Sequence, residues 1–106
     1  MKMKRPCNTH FVKILPKWYE DVIAGRKHFE IRRNDRHYAL YDLLVLCEWY
    51  HGSFTGRYTI QRIEYIYYGD GTYGLSDEWC ILGIRKAGAE IKNIEEKIKE
   101  IVNDNT

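Results

Sequence analysis

The stretch Leu43–Tyr68, LLVLCEWY followed by HGSFTG and RYTIQRIEYIYY, decides the fold because it holds the two most strand-like runs of the chain. The run Leu43–Tyr50 is apolar on both faces at its start, which predicts a central strand. Residues 51–56 predict a hairpin connection. In the run Arg57–Tyr68 the apolar positions change parity near Arg62, which predicts a bulge or bend where a sheet curls towards a barrel.

Further elements flank this hairpin. Short strands are predicted at Thr9–Leu15, at residues 27–33 (KHFEIRR) and at residues 78–86 (EWCILGIRK). Residues 16–25 have apolar side chains at the i, i+3, i+4 spacing of an amphipathic helix. A proline suits the first turn of this helix, and a glycine ends it. Trp18, on the apolar side, is expected to be packed.

The C-terminal residues carry isoleucines at helical spacing, namely Ile91, Ile94, Ile98 and Ile101. Packing on its own domain is favoured over dimerisation, because the stripe is shorter than a coiled coil needs. An oligomer formed through this helix stays open as an alternative. The chain is therefore divided into a flexible arm (1–8), a folded domain (9–86) and a helical tail (87–106). Five strands with two helices indicate an α+β fold, a small and partly open β-barrel.

Composition narrows the class of protein. A chain of 106 residues with 44% hydrophobic and 14% aromatic residues suits one folded domain. Three cysteines without a CxxC pair, and four histidines, supply no recognisable zinc site, so neither metal nor cofactor is expected. Buried thiols suit a reducing compartment. Lys13 interrupts the first apolar run, and no run approaches the ~20 residues of a membrane span, so a cytoplasmic protein is expected.

Charge is distributed unevenly along the chain. Residues 1–36 carry ten Lys and Arg against four Asp and Glu, whereas residues 37–106 carry seven against eleven. This asymmetry suggests an anionic partner for the N-terminal third.

The segment Gly25–Arg36, GRKHFEIRRNDR, concentrates the groups that could carry chemistry. Residues two apart on a strand project the same way, so Glu30 and Arg32 are expected side by side, with Lys27 entering from the mouth of the strand. A fixed carboxylate can accept hydrogen bonds from the amine of a base, and cations can neutralise phosphate. On spacing alone, an exposed strand with a screened ion pair is the favoured alternative.

A resemblance to a known family favours a functional site over a screened ion pair in this segment. Gly25, Lys27, Glu30 and Arg32 match the Gly-x-Lys-x-x-Glu-x-Arg signature, and with it the chain resembles ASCH domains, a branch of the PUA-like superfamily. The order of residues around the signature resembles small bacterial and phage ASCH-like proteins of unknown function. The further matches are His10, Lys13, Ile14, Leu15, Pro16, Phe29, Ile31, Asn34, Asp35, Arg36, Asp42, Thr55, Gly56, Arg57, Gly74 and Leu75. The resemblance spans residues 9–86, with Tyr41 as a departure where glycine is expected.

The resemblance implies a PUA-like barrel that binds RNA, a nucleotide or a modified nucleoside in a cleft beside the first helix. On this sequence the implied ligand-binding residues are Lys13, Lys27, Glu30, Arg32, Arg36 and Tyr38.

The resemblance also implies an enzymatic alternative. Some ASCH relatives are amidohydrolases of acetylated cytidine, with a threonine nucleophile activated by the motif lysine. Here Glu30 stands at the threonine position, and a carboxylate cannot replace a hydroxyl in acyl transfer because the product would be an anhydride. Hydrolysis of a modified nucleoside or RNA through water, with Lys27 and Glu30 as acid and base, stays open. Binding is the favoured hypothesis, and whether the chain is an enzyme is left undecided.

Overall fold

The computed structural model describes residues 7–104 of the chain. It is an α+β fold of one curled five-stranded sheet, shaped as a half-barrel, with two helices. The elements in chain order are β1 (Thr9–Ile14), α1 (Pro16–Ile23), β2 (Phe29–Arg33), β3 (Leu43–Tyr50), β4 (Ser53–Tyr68), β5 (Trp79–Lys86) and α2 (Ile94–Asp104). The predicted α+β class, the five strands and both helices are thereby confirmed.

The central hairpin β3–β4 turns more tightly than predicted. Tyr50 pairs with Ser53, so His51 and Gly52 alone form the turn. Both have positive φ, 52° and 80°, as a type I′ turn requires. The prediction of a six-residue loop was wrong, because such a turn matches the twist of the strands and lets β4 begin at once.

The predicted bulge in β4 is confirmed. The register between β4 and β5 shifts between Ile63 and Tyr65. A second shift lies between Cys47 and Trp49, where β3 pairs with β4. Extra residues of this kind bend a strand and increase its twist, so the two bulges account for the curl of the sheet.

The strand order is β1-β3-β4-β5-β2, with β1 parallel to β3 and the other pairs antiparallel. The curl brings the two end strands, β1 and β2, towards each other without pairing them. Side chains join them instead: Arg32 Nη2 donates to the carbonyl of Lys13 at 2.6 Å, and Arg36 Nη1 donates to that of Phe11 at 3.0 Å. We call this gap between β1 and β2 the seam.

Each helix covers one face of the sheet. On the concave face, Tyr19 and Val22 of α1 pack against apolar side chains of four strands. On the convex face, Ile94 and Ile98 of α2 pack against β1, β3 and β4. The predicted isoleucine stripe therefore packs largely on its own domain.

The predicted division into an arm (1–8), a domain (9–86) and a tail (87–106) stays a prediction. Of the arm, residues 1–6 lie outside the described residues. Within residues 7–104, no helix has the length and apolar character needed to cross a membrane.

Candidate functional site

Strand β2 alternates as predicted, but its acidic residue is the buried one. Glu30 is 4% exposed, whereas Phe29 and Ile31 on the other face are 44% and 51% exposed. Glu30 pairs in register with Leu82 of β5, which belongs to the concave core. The strand therefore places a carboxylate at the wall of the half-barrel and leaves apolar side chains outside.

Two cations hold this carboxylate. Arg32 donates to Oε1 of Glu30 from Nε at 3.2 Å and from Nη2 at 3.0 Å. Lys27 Nζ donates to Oε2. A carboxylate has about four acceptor positions, and these bonds fill three. Among the described residues, one acceptor position on Oε2 has no donor.

The end of α1 positions the lysine. Gly25 has φ +79°, a left-handed conformation that costs glycine little, so the helix ends there. The N–H groups of Arg26 and Lys27 then both donate to the carbonyl of Asp21, at 2.9 and 3.0 Å. Lys27 Nζ also donates to the carbonyl of Phe29 at 2.7 Å. Of its three donors, one has no acceptor among the described residues.

A cavity of about 440 Å³ lies between α1 and the seam, and we call it the helix-side chamber. Its lining residues are Lys13, Ile14, Leu15, Trp18, Lys27, Phe29, Glu30, Ile31 and Arg32.

Aromatic rings form part of the wall of the helix-side chamber. Trp18 is 41% exposed, so the expectation that it is packed was wrong: its helix turns it towards the chamber instead of the core. The ammonium of Lys27 lies 4.9 Å from the centroid of the Phe29 ring and 6.0 Å from that of Trp18. The lining of this chamber therefore combines aromatic side chains with a cation and a carboxylate.

A second cavity, of about 360 Å³, lies further along the seam, on the side of Ile101 from α2. We call it the tail-side chamber. Its lining residues are Phe11, Val12, Lys13, Ile31, Arg32, Arg33, Asp35, Arg36, Tyr38, Trp79 and Ile101. The two chambers share Lys13, Ile31 and Arg32, so the guanidinium that crosses the seam stands between them.

The six predicted site residues do not all meet at one point. Lys27 and Glu30 line the helix-side chamber, and Arg36 and Tyr38 line the tail-side chamber. Arg32 borders both, as does Lys13. The ammonium of Lys13, however, lies 4.3 Å from the centroid of the Trp49 ring, on the convex side of the sheet.

Sequence reasoning missed part of the lining. Trp18 and Phe29 were assigned to packing or to a strand face, and Arg33, Asp35 and Trp79 were not placed in a common cavity. The sequence did hold one signal for Phe29: it is an apolar residue next to an acidic one on an edge strand, which could have placed it in the lining. The tail-side residues come together only through the curl of the sheet, which the sequence pattern does not specify.

A second buried carboxylate lies elsewhere. Glu48, at the bulge of β3, accepts from Arg57 Nε at 2.9 Å and Nη2 at 2.7 Å and from the Thr55 hydroxyl at 2.6 Å. Arg57 Nη2 also donates to Glu20 of α1 at 2.6 Å. The bonds from Arg57 and Thr55 lower the pKa of Glu48, and the two carboxylates raise that of Arg57. The bonds that Arg57 makes to Glu48 and Glu20 therefore hold the β3–β4 hairpin against α1.

The matched residues His10 and Asp42 form a buried pair. His10 Nε2 lies 2.8 Å from Oδ2 of Asp42, which is fully buried. The same carboxylate accepts the N–H groups of Asn8 and Ala39, each at 3.1 Å. The pair ties the start of β1 to the residues before β3, so its role in this structure is to hold the fold.

Residues 9–84 match a family model described as "Domain of unknown function (DUF3850)". The match covers well over half of the chain. The chain belongs to the DUF3850 family. The matched region of this DUF3850 chain contains α1 and both strands of the seam, whereas α2 lies beyond it.

A phage protein is also similar to this DUF3850 chain. The "Uncharacterized 12.9 kDa protein in GpA 3'region" of Escherichia phage P2 is 44% identical over 54 residues. The alignment covers 51% of the chain and 50% of the phage protein. The chain thus spans about half the length of that relative.

Proposed function

We propose that the chain is an ASCH-like domain with a PUA-like barrel, and that its helix-side chamber binds RNA or a nucleotide through a base. One observation carries the proposal. A carboxylate oxygen and an ammonium, each with hydrogen-bonding capacity that no described residue uses, lie side by side in a chamber with an exposed tryptophan. The signature residues of the resemblance, Lys27, Glu30 and Arg32, are the charged groups that meet there.

The chemistry of this pair suits the edge of a nucleobase. Adenine and cytosine each present an exocyclic amine next to a ring nitrogen that accepts a hydrogen bond. Oε2 of Glu30 can accept from the amine while Lys27 Nζ donates to the ring nitrogen. The Trp18 ring offers a surface on which the base can stack. In the same position uracil places a carbonyl opposite the carboxylate, so it has to shift in the chamber to bring its N3–H donor to Oε2.

Hydrolysis by the same site is less well supported. Lys27 and Glu30 form a hydrogen-bonded ion pair. Such a pair holds both side chains in place, as a recognition surface requires. Among the described residues, the lining of the helix-side chamber includes no serine, threonine or cysteine to serve as a nucleophile. A hydrolase would therefore have to activate water directly.

Fluorescence titration tests the proposal. Adenosine, cytidine, uridine and short RNA oligonucleotides are added to the protein while tryptophan emission is recorded. We expect quenching by the adenine and cytosine ligands, with weaker binding of uridine. Trp18→Ala should weaken binding about tenfold or more, since a base–aromatic stack contributes roughly 1–3 kcal/mol.

Arg26→Ala is the matched control for Lys27→Ala, because it removes the same charge at the neighbouring residue. Arg26 is exposed, pairs with Asp21 at 2.9 Å and lines neither chamber. Lys27→Ala should lower affinity, and Arg26→Ala should leave it unchanged. Absence of binding across the whole panel, or equal losses in both variants, would overturn the proposal. Mass spectrometry of the same mixtures detects any hydrolysis product.

A further inference from the structure

The tail-side chamber differs from the helix-side chamber in charge. The described residues that line it include the guanidinium groups of Arg32, Arg33 and Arg36 and one carboxylate, that of Asp35. Arg33 has a partner in Glu78 at 3.5 Å, but both side chains are largely exposed, so water screens this pair. The lining therefore keeps an excess of positive charge, and it attracts an anion.

Two of these guanidinium groups are fixed in place. Arg36 Nη1 donates to the carbonyl of Phe11 at 3.0 Å, and its Nε lies 4.0 Å from Asp35. Arg33 lies with its guanidinium carbon 5.0 Å from the centroid of the Trp79 ring. Guanidinium groups held by a carbonyl or a ring face lose less side-chain freedom when they bind an oxyanion.

Arg32 connects the two chambers. Its Nε and Nη2 are directed to Glu30 and to the carbonyl of Lys13. Nη1 donates to none of the atoms that the structure describes. Arg32 lines both chambers, so its side chain adjoins any group that extends from one chamber into the other.

Tyr38 adds a neutral donor to the same wall. It is 4% exposed, and burial raises the pKa of its phenol to about 12. The phenol therefore keeps its proton at physiological pH and can donate a hydrogen bond to an anion. Arg32 and Arg36 both lie close enough to act on its titration.

We propose that the tail-side chamber is an oxyanion subsite that takes the phosphate of a nucleotide whose base occupies the helix-side chamber, with Arg32 Nη1 contacting the linkage between them. This inference rests on the proposed function. It specifies the ligand as a nucleoside monophosphate unit, either free or within single-stranded RNA. Guanidinium forks match the geometry of phosphate oxygens, which favours phosphate over a single halide ion.

Isothermal titration calorimetry of the full chain tests the base site in the helix-side chamber and the phosphate subsite in the tail-side chamber separately. The probes are adenosine and cytidine, their 5′- and 3′-monophosphates, and a trinucleotide RNA. We expect one class of monophosphate to bind about tenfold more tightly than its nucleoside, with an advantage that shrinks as salt rises. Tighter binding of the trinucleotide than of both monophosphates would identify RNA as the source of the phosphate.

Arg33→Gln and Arg85→Gln form the matched pair of variants. Each removes a guanidinium from an exposed ion pair on the sheet, Arg33–Glu78 and Arg85–Glu64, and Arg85 lies outside both chambers. Arg33→Gln should lower the affinity for the monophosphate about fivefold and leave the nucleoside unaffected. Arg85→Gln should change neither. Asp35→Asn should raise the affinity for the monophosphate, because it removes a carboxylate from the lining.

The outcomes distinguish the two proposals. Equal affinity for nucleoside and monophosphate, or equal effects of Arg33→Gln and Arg85→Gln, would overturn the phosphate subsite while the base site stood. Binding of a monophosphate that is weakened in Arg33→Gln, with no nucleoside binding at all, would support the subsite and overturn the base site. Failure of every probe to bind would overturn both.

Discussion

Glu30 and Glu48 are two buried carboxylates of one small domain, 4% and 3% exposed, and each accepts two hydrogen bonds from one arginine. Their surroundings carry opposite charge. Glu30 has two cations, Lys27 and Arg32, so its group is left with one positive charge. At Glu48, by contrast, Arg57 is shared with Glu20, so that group is left with one negative charge.

The two groups also differ in what adjoins them. The Glu30 group lines both chambers of the seam, whereas Glu48 lines neither. A buried ion pair is by itself weak evidence of function, because structural pairs look the same in a list of contacts. Surplus charge next to an accessible cavity is the feature that separates a candidate binding site from a structural lock.

The largest effect is expected from Arg32→Ala. This variant leaves Glu30 buried with Lys27 alone and removes the link to the carbonyl of Lys13. Loss of one partner from a buried pair is strongly destabilising, so the free energy of unfolding should fall by about 3 kcal/mol. Urea titration followed by circular dichroism measures it, and Arg32→Lys should recover part of the loss. If the free energy of unfolding fell only as little as for a surface ion pair, the buried carboxylate of Glu30 would not depend on both cations.

The next effect separates binding from stability. Lys27→Ala should weaken nucleotide binding about tenfold, as expected for one charge-assisted contact. Arg57→Ala should lower thermal stability, because it leaves Glu48 without its cation, and should leave the dissociation constant unchanged. Calorimetric titration and thermal melts of both variants measure these quantities. Reduced affinity in Arg57→Ala at a temperature where it is fully folded would contradict the contrast.

A smaller effect concerns pH. The pKa of Glu48 is lowered in the folded state, so the folded protein binds fewer protons than the unfolded chain there. Its contribution to stability is therefore complete above the unfolded pKa and is lost as pH falls through the lowered folded value. Glu48→Gln should flatten the fall in stability below about pH 4.5. Urea titrations at pH 6, 4.5 and 3.5 give the free energy of unfolding of both proteins. An identical dependence on pH in the two proteins would show that Glu48 does not cause the fall in stability.

The smallest effect is expected from Arg26→Ala. Its pair with Asp21 is solvent-exposed, and such pairs contribute little. The free energy of unfolding should change by less than about 0.5 kcal/mol. Chemical denaturation gives the value, and a change above 1 kcal/mol would show that the end of α1 is held by more than backbone bonds.

Much of the fold could be predicted from the sequence because it depends on local patterns. The parity change in β4 predicted the bulge near Ile63, and the apolar spacing predicted α1. The pattern could not give the turn at His51, because a non-glycine residue with positive φ has no periodic signature. Alternation in β2 defined two faces, but not that Glu30 belongs to the inner one.

The candidate site was predictable to a lesser extent. The juxtaposition of Lys27, Glu30 and Arg32 follows from strand geometry and from the end of α1, and both are local. The approach of Arg36 to the carbonyl of Phe11 depends on the curl of the whole sheet, so sequence spacing gave no access to it. Whether these residues bind a ligand stays a prediction.

The side chains that cross the seam have a consequence for self-association. A strand at the edge of a sheet normally offers rows of main-chain groups that recruit strands from other molecules. Here guanidinium groups already occupy the carbonyls of Phe11 and Lys13, and an ammonium occupies that of Phe29. The same cations that line the chambers thus protect the two open edges of the half-barrel against aggregation.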